Sequence, residues 1–172
     1  NIYDGFKTIL TGRPTPESLI EIIQKYRPQI ACLVPTMYIG MLNHPDFEKL
    51  DLTCIKRLMC GSAPLPLEVI KAYEEKAGVH INEGYGLTEA SPVTHSNPYG
   101  TVQKSGSIGI PYPSTEVRIV DLETGENDVP VGQPGEMIIK GPQIMKGYWN
   151  RPDETAKTIR NGWLYTGDIA IM

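Results

Sequence analysis

No two cysteines in this chain stand at C-x-x-C spacing. The three present, Cys32, Cys54 and Cys60, are an odd count that supports neither a disulfide framework nor a zinc site. They read as buried thiols of a reducing compartment. The three histidines, His44, His80 and His95, are scattered, and no serine, cysteine and histidine triad suggests itself. Basic residues are not in excess: 16 Lys+Arg face 20 Asp+Glu, a net charge of -4. That balance argues against a nucleic-acid partner, which calls for a basic face. No apolar run approaches the roughly 18 residues of a membrane-spanning helix. Neither a signal peptide nor an N-glycosylation sequon occurs. These absences together lead us to expect a cytoplasmic protein. The two common phosphate cradles are missing as well. There is no G-x-x-x-x-G-K-[ST], and a dinucleotide fingerprint fails because Glu89 stands where its third glycine belongs. Internal repeats and low-complexity segments are also lacking.

What is there is a chain of 172 residues, 40% hydrophobic and 21% charged. That is enough for one large or two small domains with a real core. The sequence begins at Asn1, inside a stretch that already looks structured, and ends in "GDIAIM", which reads as an unfinished strand. It therefore reads as a piece of a longer protein.

The first hundred residues alternate helix and strand. Pro16 and Glu17 suit a helix start. Leu19, Ile22, Ile23 and Tyr26 follow the stripe of a helix packed on one face, and Pro28 ends it. Ile30–Pro35 is a short apolar run expected as a buried strand. "TMYIGMLNHP" fits a short helix, and "IKRLMCGSAP" a strand leading into a turn. In "LPLEVIKAYEEKAG", Leu65, Val69, Tyr73 and Ala77 share one side and Gly78 caps the end. Val79–Asn82 is expected as a third strand, followed by a loop. Such alternation implies a parallel sheet with helices on its faces. After about Gly100 the segments "SIGIP", "TEVRIVD" and "GEMIIKG" are short, β-rich and bounded by Gly and Pro. They suggest a small antiparallel barrel or sheet, interrupted by one helix at "PDETAKTI". The expected division is an α/β part over 1–100 and a β-rich part over 101–172.

Three stretches could carry chemistry. "EGYGLTEASP" (Glu83–Pro92) follows a strand of an open α/β sheet, where ligands bind. Gly84 and Gly86 permit close backbone approach or a positive φ. Tyr85 offers a stacking face, Thr88 a hydroxyl for a phosphate oxygen, and Glu89 a hard oxygen for Mg2+. The set could hold the base, phosphate and metal ion of a nucleotide, or it could be a plain glycine turn. "CGSAPLP" (Cys60–Pro66) could read an adenine edge with its backbone, or be a simple strand-to-helix turn. In "WLYTGD" (Trp163–Asp168), Asp168 could accept from both ribose hydroxyls, or be a turn aspartate.

"GSAPLP", "YGLTE", "GEMIIKGPQIMKGYWNRPDET" and "YTGD", in this order, resemble the core motifs of the adenylate-forming superfamily. That superfamily includes acyl-CoA synthetases, luciferases and peptide-synthetase adenylation domains. "GYGLTEASPVTHSNP" and "GSIGIPYPSTEVRIVD" are most similar to bacterial and archaeal long-chain fatty acyl-CoA ligases. The resemblance covers essentially the whole chain. It implies part of the large N-terminal domain of such an enzyme, with fatty acid, ATP and CoA as substrates and Mg2+ as cofactor. It also implies roles for single residues. Tyr85 would stack on adenine, with Gly61, Ser62, Ala63 and Pro64 lining the other side. Gly86 would lie along the nucleotide, and Thr88 would contact the α-phosphate. Glu89 would hold Mg2+, and Asp168 would bind the ribose. Thr88 and Glu89 would be the catalytic pair. "KGYW…RP…T" would be structural, shaping the small β subdomain, and "VPTMYIGMLNHP" would border the acyl pocket. The family's phosphate loop, its hinge and its catalytic lysine have no counterpart in these residues, so the chain is expected to carry part of an active site. Aryl- or amino-acid-activating relatives and a non-catalytic nucleotide-binding module stay open as alternatives. The uncharged "VPTMYIGML" favours a greasy acid over an amino acid. A fatty-acid enzyme leaves room for peripheral membrane contact, though no basic amphipathic helix supports it here.

Overall fold

The computed structural model describes residues 5–100 and 103–172. The start of the segment expected to be structured from Asn1 lies outside the described residues. The chain folds as two compact units, Asn1–Asn82 and Glu83–Met172. The change of composition near Gly100 falls within the second.

In the first unit, α1 (Pro16–Tyr26) opens on a reciprocal cap. Thr15 Oγ1 accepts from Ser18 N and Ser18 Oγ accepts from Thr15 N, so two backbone donors left over at the helix end find partners. Its buried face is Leu19, Ile20 and Ile23. Strand β1 (Ile30–Leu33) pairs in parallel with β2 (Arg57–Cys60), from Ile30 opposite Arg57 to Leu33 opposite Cys60. Between them lies α2 (Pro35–Leu42), and α3 (Leu67–Ala77) follows. Three aromatic rings lock the helices together. Tyr73 meets Tyr38 edge-on with centroids 4.9 Å apart, and Phe47 with centroids 5.0 Å apart. Both tyrosine hydroxyls are satisfied inside the core. Tyr73 donates to Tyr38 O at 2.9 Å and Tyr38 to Met59 O at 3.0 Å, which removes the cost of burying them.

Three expectations for this unit change. β1 is half-exposed rather than buried, with Ile30 and Cys32 open to solvent, because among the described residues it lies at the edge of its sheet. Of the three thiols only Cys60 is buried, Cys54 being half-buried. Leu65 is buried as expected, but from the turn before α3 rather than from the helix.

The second unit is built on antiparallel strands. β3 (Ile81–Gly86) crosses the division and pairs antiparallel with β4 (Val93–Ser96), which pairs with β5 (Ile110–Pro111). Four more strands form a curled, half-barrel sheet in the order β6 (Glu116–Val120), β7 (Gly135–Lys140), β9 (Trp163–Ala170), β8 (Ile159–Arg160). Ile119, Met137 and Ile139 are the buried centre of this unit, and Tyr85 and Leu87 pack against it. Helix α4 (Pro152–Thr158) carries Asp153 and Glu154 in its first turn, two carboxylates at the positive end of its dipole. Helix-flanked parallel strands followed by a small antiparallel sheet is the expected α/β fold class. No helix among the described residues is long and apolar enough to cross a membrane.

Candidate functional site

The loop expected after Asn82 is a strand for its first half. β3 runs on to Gly86, so Glu83, Gly84 and Tyr85 are extended and paired, with Tyr85 opposite His95. The two glycines answer to β4 rather than to a positive φ, and neither has one. A Cβ on Gly86 would lie 2.0 Å from Pro92 O, and one on Gly84 3.1 Å from His95 O. The close neighbour is backbone, which cannot give way. Only after Gly86 does the chain turn. Leu87 N donates to Pro92 O at 2.8 Å, and Thr88–Ala90 wind into a single 3-10 turn. Thr88 is exposed on that turn, Glu89 half-buried and Ala90 fully buried. The buried alanine pins the turn that presents the two polar side chains.

Asp168 reaches the same place from the other end of the unit. It lies within β9 rather than in a turn after it. Glu136 of β7 faces Ile169 and Ile138 faces Tyr165, so Thr166, Gly167 and Asp168 bulge out opposite Met137. Gly167 takes a φ of 75°, which a side chain would disfavour. The bulge is stitched down by Thr166 Oγ1 donating to Met137 O at 2.6 Å, Gly167 N donating to Glu136 Oε1 at 2.9 Å, and Asp168 N donating to Thr166 Oγ1 at 3.1 Å. Asp168 is left exposed, and its Oδ2 accepts a hydrogen bond from the Tyr85 hydroxyl. The phenol of Tyr85 is raised well above its ordinary pKa, first by burial and then by its bond to Asp168. It stays a donor at any ordinary pH.

Two residues that the sequence marked as bland or structural belong to this cluster. His95 is buried, with its ring 6.0 Å from that of Tyr85 at 67° and its Nδ1 2.9 Å from Thr94 Oγ1. Burial lowers its pKa. Tyr148, in "KGYW", donates to Glu89 Oε1 at 2.7 Å. Neither could be found by local spacing, because the register of β4 and the return of a segment 59 residues onward bring them in.

Tyr85, Gly86, Thr88, Glu89 and Asp168 thus come together in the second unit, where β3, the 3-10 turn and the β9 bulge meet. Gly61, Ser62, Ala63 and Pro64 form a turn of the first unit, at the carboxyl end of β2. Ser62 there has a φ of 74°, and Ser62, Ala63 and Pro64 are exposed between buried Cys60 and Leu65. Among the described residues no three His, Cys, Asp or Glu side chains gather as a metal cage. Glu89 is a lone carboxylate beside a hydroxyl, the kind of contact made to Mg2+ that arrives with a nucleotide's phosphates and its own waters.

The cluster therefore has an aromatic ring, a hydroxyl and two carboxylates of different surroundings. The family model for AMP-binding enzyme matches residues 2–149. The chain belongs to the AMP-binding enzyme family. Over 168 residues it is 49% identical to a long-chain-fatty-acid–CoA ligase of Bacillus subtilis (strain 168), covering 98% of this chain and 30% of that protein. A protein of the same description from Escherichia coli O6:H1 is 42% identical over 168 residues, with the same coverage. Among solved structures, the anthranilate CoA ligase AuaEII in complex with anthranoyl-AMP superposes with a TM-score of 0.85 at 30% identity, over 91% of this chain and 30% of that one. The chain spans about 30% of the length of these AMP-binding relatives. The strand that continues through "EGYG" and the bulge at "TGD" bring the polar residues of this chain into one place.

Proposed function

We propose that the protein carrying this chain activates a long-chain fatty acid with ATP and transfers the acyl group to CoA. One observation carries the reading: a chain 49% identical to a long-chain-fatty-acid–CoA ligase brings together Tyr85, Thr88, Glu89 and Asp168, a compact set of the chemistry a nucleotide needs. In the first step a carboxylate oxygen of the acid attacks the α-phosphorus of ATP, and pyrophosphate leaves with the bonding electron pair. In the second the CoA thiolate attacks the acyl carbonyl, AMP leaves and a thioester remains. Both steps bring anions together, so the barrier is one of charge and orientation, and no side-chain nucleophile is needed.

Each residue has a part. The Tyr85 ring, held edge-on by His95 and by its hydroxyl on Asp168, is a rigid face for adenine. Gly86, with no side chain, lets the backbone run close to the nucleotide. Asp168, raised on its bulge, accepts from the ribose hydroxyls. Thr88 donates to the α-phosphate. Glu89 would hold Mg2+, and that ion, when bound, would offset the charge of the phosphates. Residence in the cytoplasm, and contact with a membrane that supplies the acid, belong to the same proposal.

Carboxylate-dependent ATP–pyrophosphate exchange by the full-length protein tests this, across acids from acetate to palmitate with benzoate as the aryl case. Exchange that peaks with the long-chain acids is expected. A peak with benzoate would move the substrate to aryl acids, the class handled by the anthranilate ligase. No exchange with any acid, while nucleotide binds, would leave a binding module in place of an enzyme.

A further inference from the structure

We propose that Tyr148 is a positioning residue for Glu89: its phenol fixes the carboxylate in the orientation from which it meets the cation carried by a nucleotide. The inference rests on the reading of Glu89 given above. The "KGYW" stretch then has a purpose beyond shaping the β subdomain.

The geometry shows two anchors. Along the backbone, Met145 N donates to Glu89 O at 2.8 Å, which ties the segment leaving β7 to the 3-10 turn. Between side chains, Tyr148 Oη donates to Glu89 Oε1 at 2.7 Å. Tyr148 is itself fixed. Its backbone N donates to Thr155 Oγ1 at 2.9 Å, and Thr155 Oγ1 donates on to Arg151 O at 2.9 Å, locking the segment to the start of α4. Gly147 makes this possible. It has a φ of 148°, and a Cβ there would lie 2.6 Å from Thr155 Cγ2. Gly147, Tyr148 and Thr155 thus form one device that delivers a phenol to one carboxylate oxygen.

The chemistry of that delivery is specific. A glutamate side chain turns about three bonds and loses that freedom when it binds a cation. A phenol on Oε1 removes much of the freedom beforehand, and leaves Oε2 to the metal. Groups that orient a metal-binding carboxylate in this way typically change metal affinity by about 10-fold or more when removed. A tyrosine that merely packed could have its ring there without its hydroxyl on Glu89.

The test uses the full-length protein with α,β-methylene-ATP, which cannot release pyrophosphate, and Mn2+ in place of Mg2+. Nucleotide-dependent Mn2+ binding is read by equilibrium dialysis, as the Mn2+ retained on the protein side with the nucleotide over that retained without it. Tyr148→Phe is expected to weaken Mn2+ retention about 10-fold, and Glu89→Gln to weaken it at least as much. The double variant is expected to be no weaker than Glu89→Gln alone, because the phenol acts only through the carboxylate. The thermal melt of Tyr148→Phe should stay close to the parent's, since Tyr148 is exposed. Unchanged Mn2+ retention in Tyr148→Phe would overturn the proposal. So would additive losses in the double variant, or a parent that binds no Mn2+ with the nucleotide. The ligase reading stands or falls separately. A coupled pair in a protein that performs no exchange would keep this inference and remove the enzyme, and a working ligase indifferent to Tyr148→Phe would do the reverse.

Discussion

Tyr85 and Glu89 lie four residues apart, yet each is held by a residue far along the chain. Asp168 takes the hydroxyl of the first and Tyr148 gives its own to the second. Single substitutions therefore have separable effects. Glu89→Ala removes one preorganised electrostatic contact and should lower the exchange rate by roughly 10²–10³. An unchanged rate with unchanged Mg2+ dependence would remove Glu89 from the site. Tyr85→Phe keeps the ring and loses the bond to Asp168. Hydrogen bonds to charged groups contribute about 1.5–3 kcal/mol, and the exposure of Asp168 cuts this to about 1 kcal/mol. The KM for ATP should then rise about fivefold with little change in kcat. A fall in kcat alone would mean that the hydroxyl serves the chemical step instead of the nucleotide seat.

At the scale of elements, the decisive feature is the tight pairing of β3 with β4. Gly86→Ala puts a methyl 2.0 Å from a backbone oxygen, whereas Gly84→Ala puts one at 3.1 Å. Forcing atoms into a packed site costs typically 1–3 kcal/mol. Gly86→Ala should lie at the top of that range or above it, with Gly84→Ala clearly milder. Denaturation of the full-length variants checks this order, and equal stabilities would mean that β4 moves aside freely. The same strand shows how much the sequence disclosed. The residue types of "YGLTE" and "TGD" were legible because their chemistry is local, and the helices were legible because Leu19, Ile23 and Val69, Tyr73 repeat at helical spacing. That β3 continues through two glycines was not, since glycine is a poor strand former and only its pairing with β4 favours it. Cys32 was read as buried from the apolar run around it, but exposure is decided by which strand lies at an edge. His95 and Tyr148 needed register and tertiary return, which no window of sequence contains.

Across the whole molecule, two groups in different units make stability depend on pH in separate windows. His95 is buried and its pKa lies below the ordinary value. The unfolded chain takes up the proton first, so this stability is present above about pH 6.5 and is lost as pH falls below it. Asp51 accepts from Thr53 and Arg27, which bring its pKa down to about 2. Its contribution is present above the ordinary carboxylate range, about pH 4, and is lost as pH falls toward 2. Melting temperature measured from pH 8 to 5 should decline less steeply in His95→Gln than in the parent, while Asp51→Asn should lower it by a constant amount and leave the slope over that range unaltered. Parallel curves for His95→Gln and the parent would show that the imidazole does not drive the decline.

The ligase reading meets its most direct test in the products. The full-length protein is given palmitate, ATP, CoA and Mg2+, and the nucleotides and thioesters are separated and counted. AMP, pyrophosphate and palmitoyl-CoA in equal amounts are expected, all three vanishing when palmitate is omitted. ADP and phosphate in place of AMP, or ATP consumed with no thioester formed, would contradict it.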